Sequence, residues 1–142
     1  MQTVRQLLAK AEGDLATVKP DATVLDALRL MAERNIGAVL ITDNGKLLGI
    51  FTERHYARKV ILEGRQSVDT PVRDVMSTEL YWVRPDQKVD ECMAMMTGNF
   101  VRHLPVMEDD KLIGIVSIGD LVKSTIADQE QTIDELTRYI GS

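Results

Sequence analysis

The sequence predicts an α+β fold made of two copies of one β-α-β-β-α unit. Three observations carry that expectation. Residues 18–61 recur without a gap at 83–126. Each copy opens on a one-sided amphipathic stretch. Each then carries two short apolar runs divided by turn residues.

The repeat organises the chain. The first copy reads VKPDATVLDALRLMAERNIGAVLITDNGKLLGIFTERHYARKVI, and the second reads VRPDQKVDECMAMMTGNFVRHLPVMEDDKLIGIVSIGDLVKSTI. Val18, Pro20, Asp21 and Val24 match Val83, Pro85, Asp86 and Val89. Lys46, Gly49 and Ile50 match Lys111, Gly114 and Ile115. Upstream, VRQLL at 4–8 resembles VRDVM at 72–76.

The first helix of copy one places Val24, Ala27, Leu28 and Met31 on one face, and copy two places Val89, Cys92, Met93 and Met96 likewise. Thr23 is suited to cap the first of these, with Asp26 three residues on. Next come apolar runs at Ala38–Thr42 and Leu47–Phe51 around Asn44-Gly45, a tight-hairpin signal. Copy two repeats them as Leu104–Met107 and Leu112–Val116 around Asp109-Asp110. The runs are apolar on both faces, so each sheet is expected to be covered on one side by helices and on the other by the partner copy. A second helix follows at about 53–62 and about 118–127, and Gly64 ends the first.

The chain of 142 residues suffices for one hydrophobic core, whereas one copy alone is too small. A single module is therefore expected over 1–142: repeat one at 4–63, a polar connector at 64–71, repeat two at 72–127 and a C-terminal helix at 128–142. Hydrophobic residues at 44% and charged ones at 27% exclude disorder and a membrane protein. No apolar run approaches the roughly 18 residues that span a bilayer, and the N-terminus does not read as a signal peptide. The net charge of −5 argues against nucleic acid as a partner. A lone Cys92 permits no intrachain disulfide and no cysteine metal cluster, and a reducing cytoplasm is the expected location.

Over about residues 4–127 the chain resembles a tandem pair of cystathionine-β-synthase (CBS) domains, also called a Bateman module. VRDVM, VRPDQKVDECMAMM and RHLPVMEDDKLIGIVSIGDLVK carry the resemblance, together with their first-copy equivalents. It is closest to small stand-alone bacterial CBS pairs. It implies two pseudo-symmetric repeats packed through their sheets, and an adenosine-containing ligand (AMP, ADP, ATP, NAD or S-adenosylmethionine) in the cleft between them. It also implies a homodimer. The family's ligand signature, Gly, two apolar residues, Ser or Thr, then Asp three residues on, stands intact at Gly114-Ile115-Val116-Ser117-Ile118-Gly119-Asp120. By resemblance, Asp120 accepts from the ribose hydroxyls and Ser117 supports ribose or phosphate. Copy one has Thr52-Glu53-Arg54-His55, with His55 in place of the Asp.

The signature has a physical logic of its own. Ser117 and Thr52 stand where a strand ends and a helix begins. The first N–H groups of a helix lack partners and carry partial positive charge, which suits a phosphate. A carboxylate at the third position can accept from two sugar hydroxyls. Ser-x-x-Asp is equally the pattern of a capping box, and both roles can coexist. Arg54, Arg58, Lys59, Arg65 and Arg73 cluster against Glu63 and Asp69. Of the basic residues, Arg54, Arg102 and His103 lie closest to the expected cleft, where a polyphosphate would draw cations. The nucleotide-binding set is thus Ser117, Asp120, Arg102, His103, Thr52, Arg54 and His55.

Other chemistries find little support. His55 and His103 have no partners at metal-ligand spacing. Ser117, His103 and Asp120 lack a nucleophile elbow. Gly45-Lys46-Leu47-Leu48-Gly49 fits no phosphate loop. Cys92 and Met93, Met95 and Met96 read as core. The expectation is a non-enzymatic regulatory module that needs no metal and acts on an unidentified protein through a conformational or dimer change. The alternative is an interaction scaffold with degenerate nucleotide sites. Ile126, Ile133, Leu136 and Ile140 form a partial stripe on the C-terminal helix, placed at a dimer interface or over the cleft.

Overall fold

The computed structural model describes residues 1–11 and 14–141. Its elements run α1 (Val4–Ala9), β1 (Thr17–Val18), α2 (Val24–Arg34), β2 (Ala38–Asp43), β3 (Lys46–Thr52) and α3 (Glu53–His55) in the first half. A π-helical stretch, Tyr56–Ile61, continues α3, and a 3-10 turn follows at Val72–Asp74. The second half holds α4 (Val89–Asn99), β4 (His103–Glu108), β5 (Lys111–Ser117) and α5 (Ile118–Gly141). The mixed α+β class is as the sequence predicts.

The two halves follow one plan. Thr23 caps α2 through a capping box: its Oγ1 accepts from Asp26 N–H at 3.1 Å, and Asp26 Oδ2 accepts from Thr23 N–H at 3.1 Å. Asn44 and Gly45 turn the first hairpin with φ of 50° and 78°. Asp109 and Asp110 turn the second with 51° and 63°. Two consecutive positive φ values match the right-handed twist of the flanking strands. β2 and β3 pair antiparallel with a register shift after Ile41, and β4 and β5 do so with a shift after Val106. β1 joins β2 in parallel, Val18 opposite Ile41. In the second half this pairing shrinks to one parallel bridge, Val83 to Val106.

The chain divides into two compact units, and their membership exchanges the segments that precede each repeat. Asp14–Leu80 forms one unit, and the described residues of 1–13 and 81–142 form the other. In the latter, Val4 and Arg5 donate their N–H groups to Gln87 and Pro85 carbonyls, both at 2.9 Å. In the former, Val72 and Arg73 donate to Ala22 and Pro20 at 2.7 and 3.2 Å. The VRQLL and VRDVM segments thus make the same bonds, each to the repeat that it does not directly precede.

Each unit has its own core. Val24, Met31, Ile41, Phe51 and Val72 are buried in one. Val4, Cys92, Met96, Leu104 and Leu121 are buried in the other, with Met93 and Met95 against them. The methionines and Cys92 fill the interior, as read from the sequence. A second finding differs from the expected layout. The helix of repeat two and the C-terminal helix are one continuous α5 of 24 residues. Nothing in Ala127-Asp128-Gln129-Glu130 breaks a helix, so the backbone ladder runs through.

Two glycines mark close approaches. A Cβ at Gly49 would lie 2.8 Å from the Ser77 carbonyl oxygen and 2.6 Å from Met76 Sδ. At Gly114 it would lie 2.6 Å from Leu8 Cδ2, the tip of a flexible side chain. Gly49→Ala should therefore cost about 1–3 kcal/mol, and Gly114→Ala distinctly less, as read from urea midpoints. Equal losses would contradict this.

Burial, helped by the neighbouring Glu91 and Asp90, pushes the Cys92 thiol up to about 11. The fold thus favours the neutral thiol. Its contribution to stability is full below about pH 9 and is lost as pH rises towards 11. Native Cys92 should resist thiol reagents at pH 8 and label promptly in urea. Prompt labelling of native protein would refute its burial.

Candidate functional site

The chemistry-bearing junction is the step from β5 into α5. The Ser117 Oγ accepts from Asp120 N–H at 3.2 Å, and Asp120 Oδ2 accepts from Ser117 N–H at 2.9 Å. The two residues form a capping box at the head of α5. Oδ1 has no hydrogen-bond partner among the described residues. The carboxylate is thus held by one oxygen and presents the other.

Asp120 lies on the wall of a groove of about 310 Å³ within the unit that holds β4 and β5. Leu7 and Leu8 of α1 and Ile115 and Val116 of β5 supply apolar walls. Lys10, Lys123, Gln2 and Ser124 supply polar ones. Gln2 is held in place, since Ser124 Oγ donates to its Oε1 at 3.1 Å. Lys123 stands one helical turn beyond Asp120, and Lys10 is the C-cap of α1. Both ammonium groups sit on exposed residues, so they can meet an anion without the cost of a buried charge.

Arg102 and His103 border the same junction. The Arg102 carbonyl accepts from Ile118 N–H at 2.9 Å, and His103 is the β4 residue opposite Ser117. The structure therefore brings together Ser117, Asp120, Arg102 and His103. Of these, Asp120 alone lines the groove.

The other unit builds the same junction from different chemistry. Thr52 Oγ1 accepts from His55 N–H at 3.3 Å, and His55 Nδ1 accepts from Thr52 N–H at 3.1 Å. Nδ1 therefore offers a lone pair, and in the neutral ring the proton lies on Nε2. The half-buried ring stands against Phe51, with centroids 6.3 Å apart. An imidazole replaces the carboxylate's role in the cap while supplying no second acceptor oxygen. Arg54, between them in sequence, is exposed.

With fold and site in view, the family follows. The CBS domain matches residues 4–61 and again 72–126, and the chain belongs to that family as a tandem pair of CBS domains. It is 41% identical over 135 residues to the CBS domain-containing protein CBSX3, mitochondrial, of Arabidopsis thaliana. That match covers 92% of this chain and 66% of the relative, so the chain spans just under two thirds of its length. A solved protein with CBS domains from Burkholderia ambifaria MC40-6 superposes with a TM-score of 0.86 at 50% identity, covering 90% of this chain and 96% of the other. The CBS domain pair of MJ0100, solved with 5′-methylthioadenosine and S-adenosyl-L-methionine, shares the fold at a TM-score of 0.79 and 22% identity, covering 89% and 98%.

Sequence reasoning did not find Lys10, Lys123 or Gln2. Lys123 had a usable signal, its spacing of three from Asp120 on one helix face. Lys10 and Gln2 had none, because α1 reaches β5 only through the exchange of segments. No group of three or more His, Cys, Asp or Glu residues able to hold a metal occurs among the described residues. None of the described helices is long and apolar enough to cross a membrane.

Removing the cap hydroxyl by Ser117→Ala should lower stability by about 0.5–2 kcal/mol, and Thr52→Ala by a similar amount. Thermal unfolding of both variants checks this; an unchanged midpoint would mean the caps do not stabilise their helices.

Proposed function

We infer that this chain is a regulatory module that binds an adenosine-containing ligand in the groove beside Asp120 and carries out no chemistry of its own. The observation behind this reading is the half-engaged Asp120 carboxylate on a groove with apolar walls and two lysines. Adenine suits the walls formed by Leu7, Leu8, Ile115 and Val116. The ribose hydroxyls suit Asp120 Oδ1, which accepts and does not donate when ionised. A phosphate or other anionic tail suits the exposed Lys10 and Lys123. The groove lies at the small end of ligand-site volumes, about 300–1,000 Å³. That MJ0100 was solved with two adenosine compounds supports the ligand class. Within it AMP, ADP, ATP, NAD and S-adenosylmethionine are the ligands to compare.

In this reading Ser117 positions Asp120, and Arg102 and His103, beside the same junction, are the proposed contacts of an extended polyphosphate. Thr52, Arg54 and His55 form the corresponding second site, which has lost the sugar acceptor. That loss favours a second reading for this half alone, an interaction surface without ligand. Regulation requires the ligand to bind two conformations unequally, and so to shift the population seen by the regulated protein. A homodimer in the cytoplasm is the setting proposed for this.

Asp120→Asn separates sugar binding from capping. The amide oxygen can still accept from Ser117 N–H, while the amide NH2 that replaces the other oxygen only donates and cannot accept from ribose. Calorimetric titration with the five ligands should show binding by the native chain. Asp120→Asn should weaken it by about tenfold or more, the effect of losing roughly 1.4 kcal/mol, with little change in melting temperature. His55→Asp should add a second binding event. Native protein that binds none of the five, or Asp120→Asn that binds as well as native, would overturn the reading.

A further inference from the structure

The last turns of α5 are unlike the other described helices of the chain. Every residue from Gln129 to Gly141 is exposed, so no burial against its own chain supports this stretch. An isolated helix of such length, below about 12–15 residues, is marginal in water. It is also an addition to the repeat. The family match ends at residue 126, and the equivalent helix of the other half ends by Leu62, before Gly64 at φ 69°.

The exposed side chains follow a heptad. Val122, Ile126, Gln129, Ile133, Leu136 and Ile140 are spaced alternately by four and three residues. Ile126, Ile133 and Ile140 take the a positions, and Val122, Gln129 and Leu136 take d. Ile133 is 61% exposed, Leu136 56% and Ile140 81%. Ile at all three a positions, with Leu136 at one d position, is compatible with a two-stranded parallel pair.

We propose that this seam forms a parallel, in-register two-stranded coiled coil with α5 of a second copy of the chain. Charge and the polar layer argue for that occupant. The seam carries no charge. At the flanking g and e positions, Thr125 would meet Glu130 of the second copy and Thr132 would meet its Thr137, so no like charges oppose. Asp128, Asp134, Glu135 and Arg138 fall outside the seam, where water solvates them. Gln129 selects the orientation. In a parallel pair it meets Gln129 of the second copy, and the two amides satisfy each other. An antiparallel pair overlapping the whole seam would set Gln129 against Ile133 and bury an unpaired amide, which is costly. A single polar layer in an otherwise apolar seam penalises registers that separate the two amides. A partner of different sequence would have to supply both the matching apolar rhythm and the matching amide.

The test uses the full chain carrying Leu136→Cys, oxidised mildly with copper phenanthroline. A parallel pair sets the two introduced thiols together, whereas an antiparallel pair sets Leu136 against Ile126. Most of the chain should become a disulfide-linked dimer on a non-reducing gel. Wild type, with only the buried Cys92, should stay unlinked. Adding Ile133→Asp should slow linking at least about tenfold, while circular dichroism shows both units still folded. No link with Leu136→Cys would overturn the proposal. So would a link unaffected by Ile133→Asp, or a link formed only on mixing Ile126→Cys chains with Leu136→Cys chains.

Discussion

The docking of α1 on β5 is the packing contact on which the candidate site depends. Two backbone hydrogen bonds, from Val4 to Gln87 and from Arg5 to Pro85, lock the segment in place at 2.9 Å each. Leu8 then lies where Gly114 leaves room for it. The groove exists because α1 walls off one side of β5 while α5 rises on the other. One apolar wall, Leu7 and Leu8, and one lysine, Lys10, therefore come from the first repeat's leading segment, while the other wall, the second lysine and the carboxylate come from β5 and α5.

The strand-to-helix junction adds the second constraint. A helix start leaves several N–H groups without partners, and the residue three positions into it is well placed to help satisfy them. Asp120 and His55 both do this, by different atoms. The fold is therefore indifferent to the exchange of Asp for His at this position, because each offers one acceptor to one backbone N–H. The proposed sugar recognition is not indifferent, because it uses a second acceptor oxygen that a carboxylate has and an imidazole lacks. The two halves keep one architecture while differing in what they can hold.

α5 joins this site to the exposed seam. Asp120 stands in its first turn and Ile140 near its last, on one uninterrupted backbone ladder. The candidate ligand group thus stands at one end of a single helix and the proposed association surface along the other. Lys123 and Ser124 face the groove, while Val122 and Ile126 begin the seam. The helix changes partners within one and a half turns, because its apolar residues shift from a face shared with Leu121 to the heptad line.

The α+β class, both hairpins and the Thr23 cap were legible in the sequence, as were the apolar faces of α2 and α4. Each depends on residues within a few positions of one another: a period of hydrophobicity, a pair of turn residues, a side chain three places from a backbone N–H. Ser117 and Asp120 were legible for the same reason. What only the tertiary structure decided was which repeat each flanking segment completes, and hence that Lys10 and Gln2 share a groove with Asp120. VRQLL and VRDVM are nearly alike and precede their repeats alike, so local pattern cannot distinguish docking on the adjacent copy from docking on the distant one. The outcome shows only in long-range packing, with Leu8 over Gly114 and Met76 over Gly49, where the absence of a side chain admits a neighbour from far along the chain.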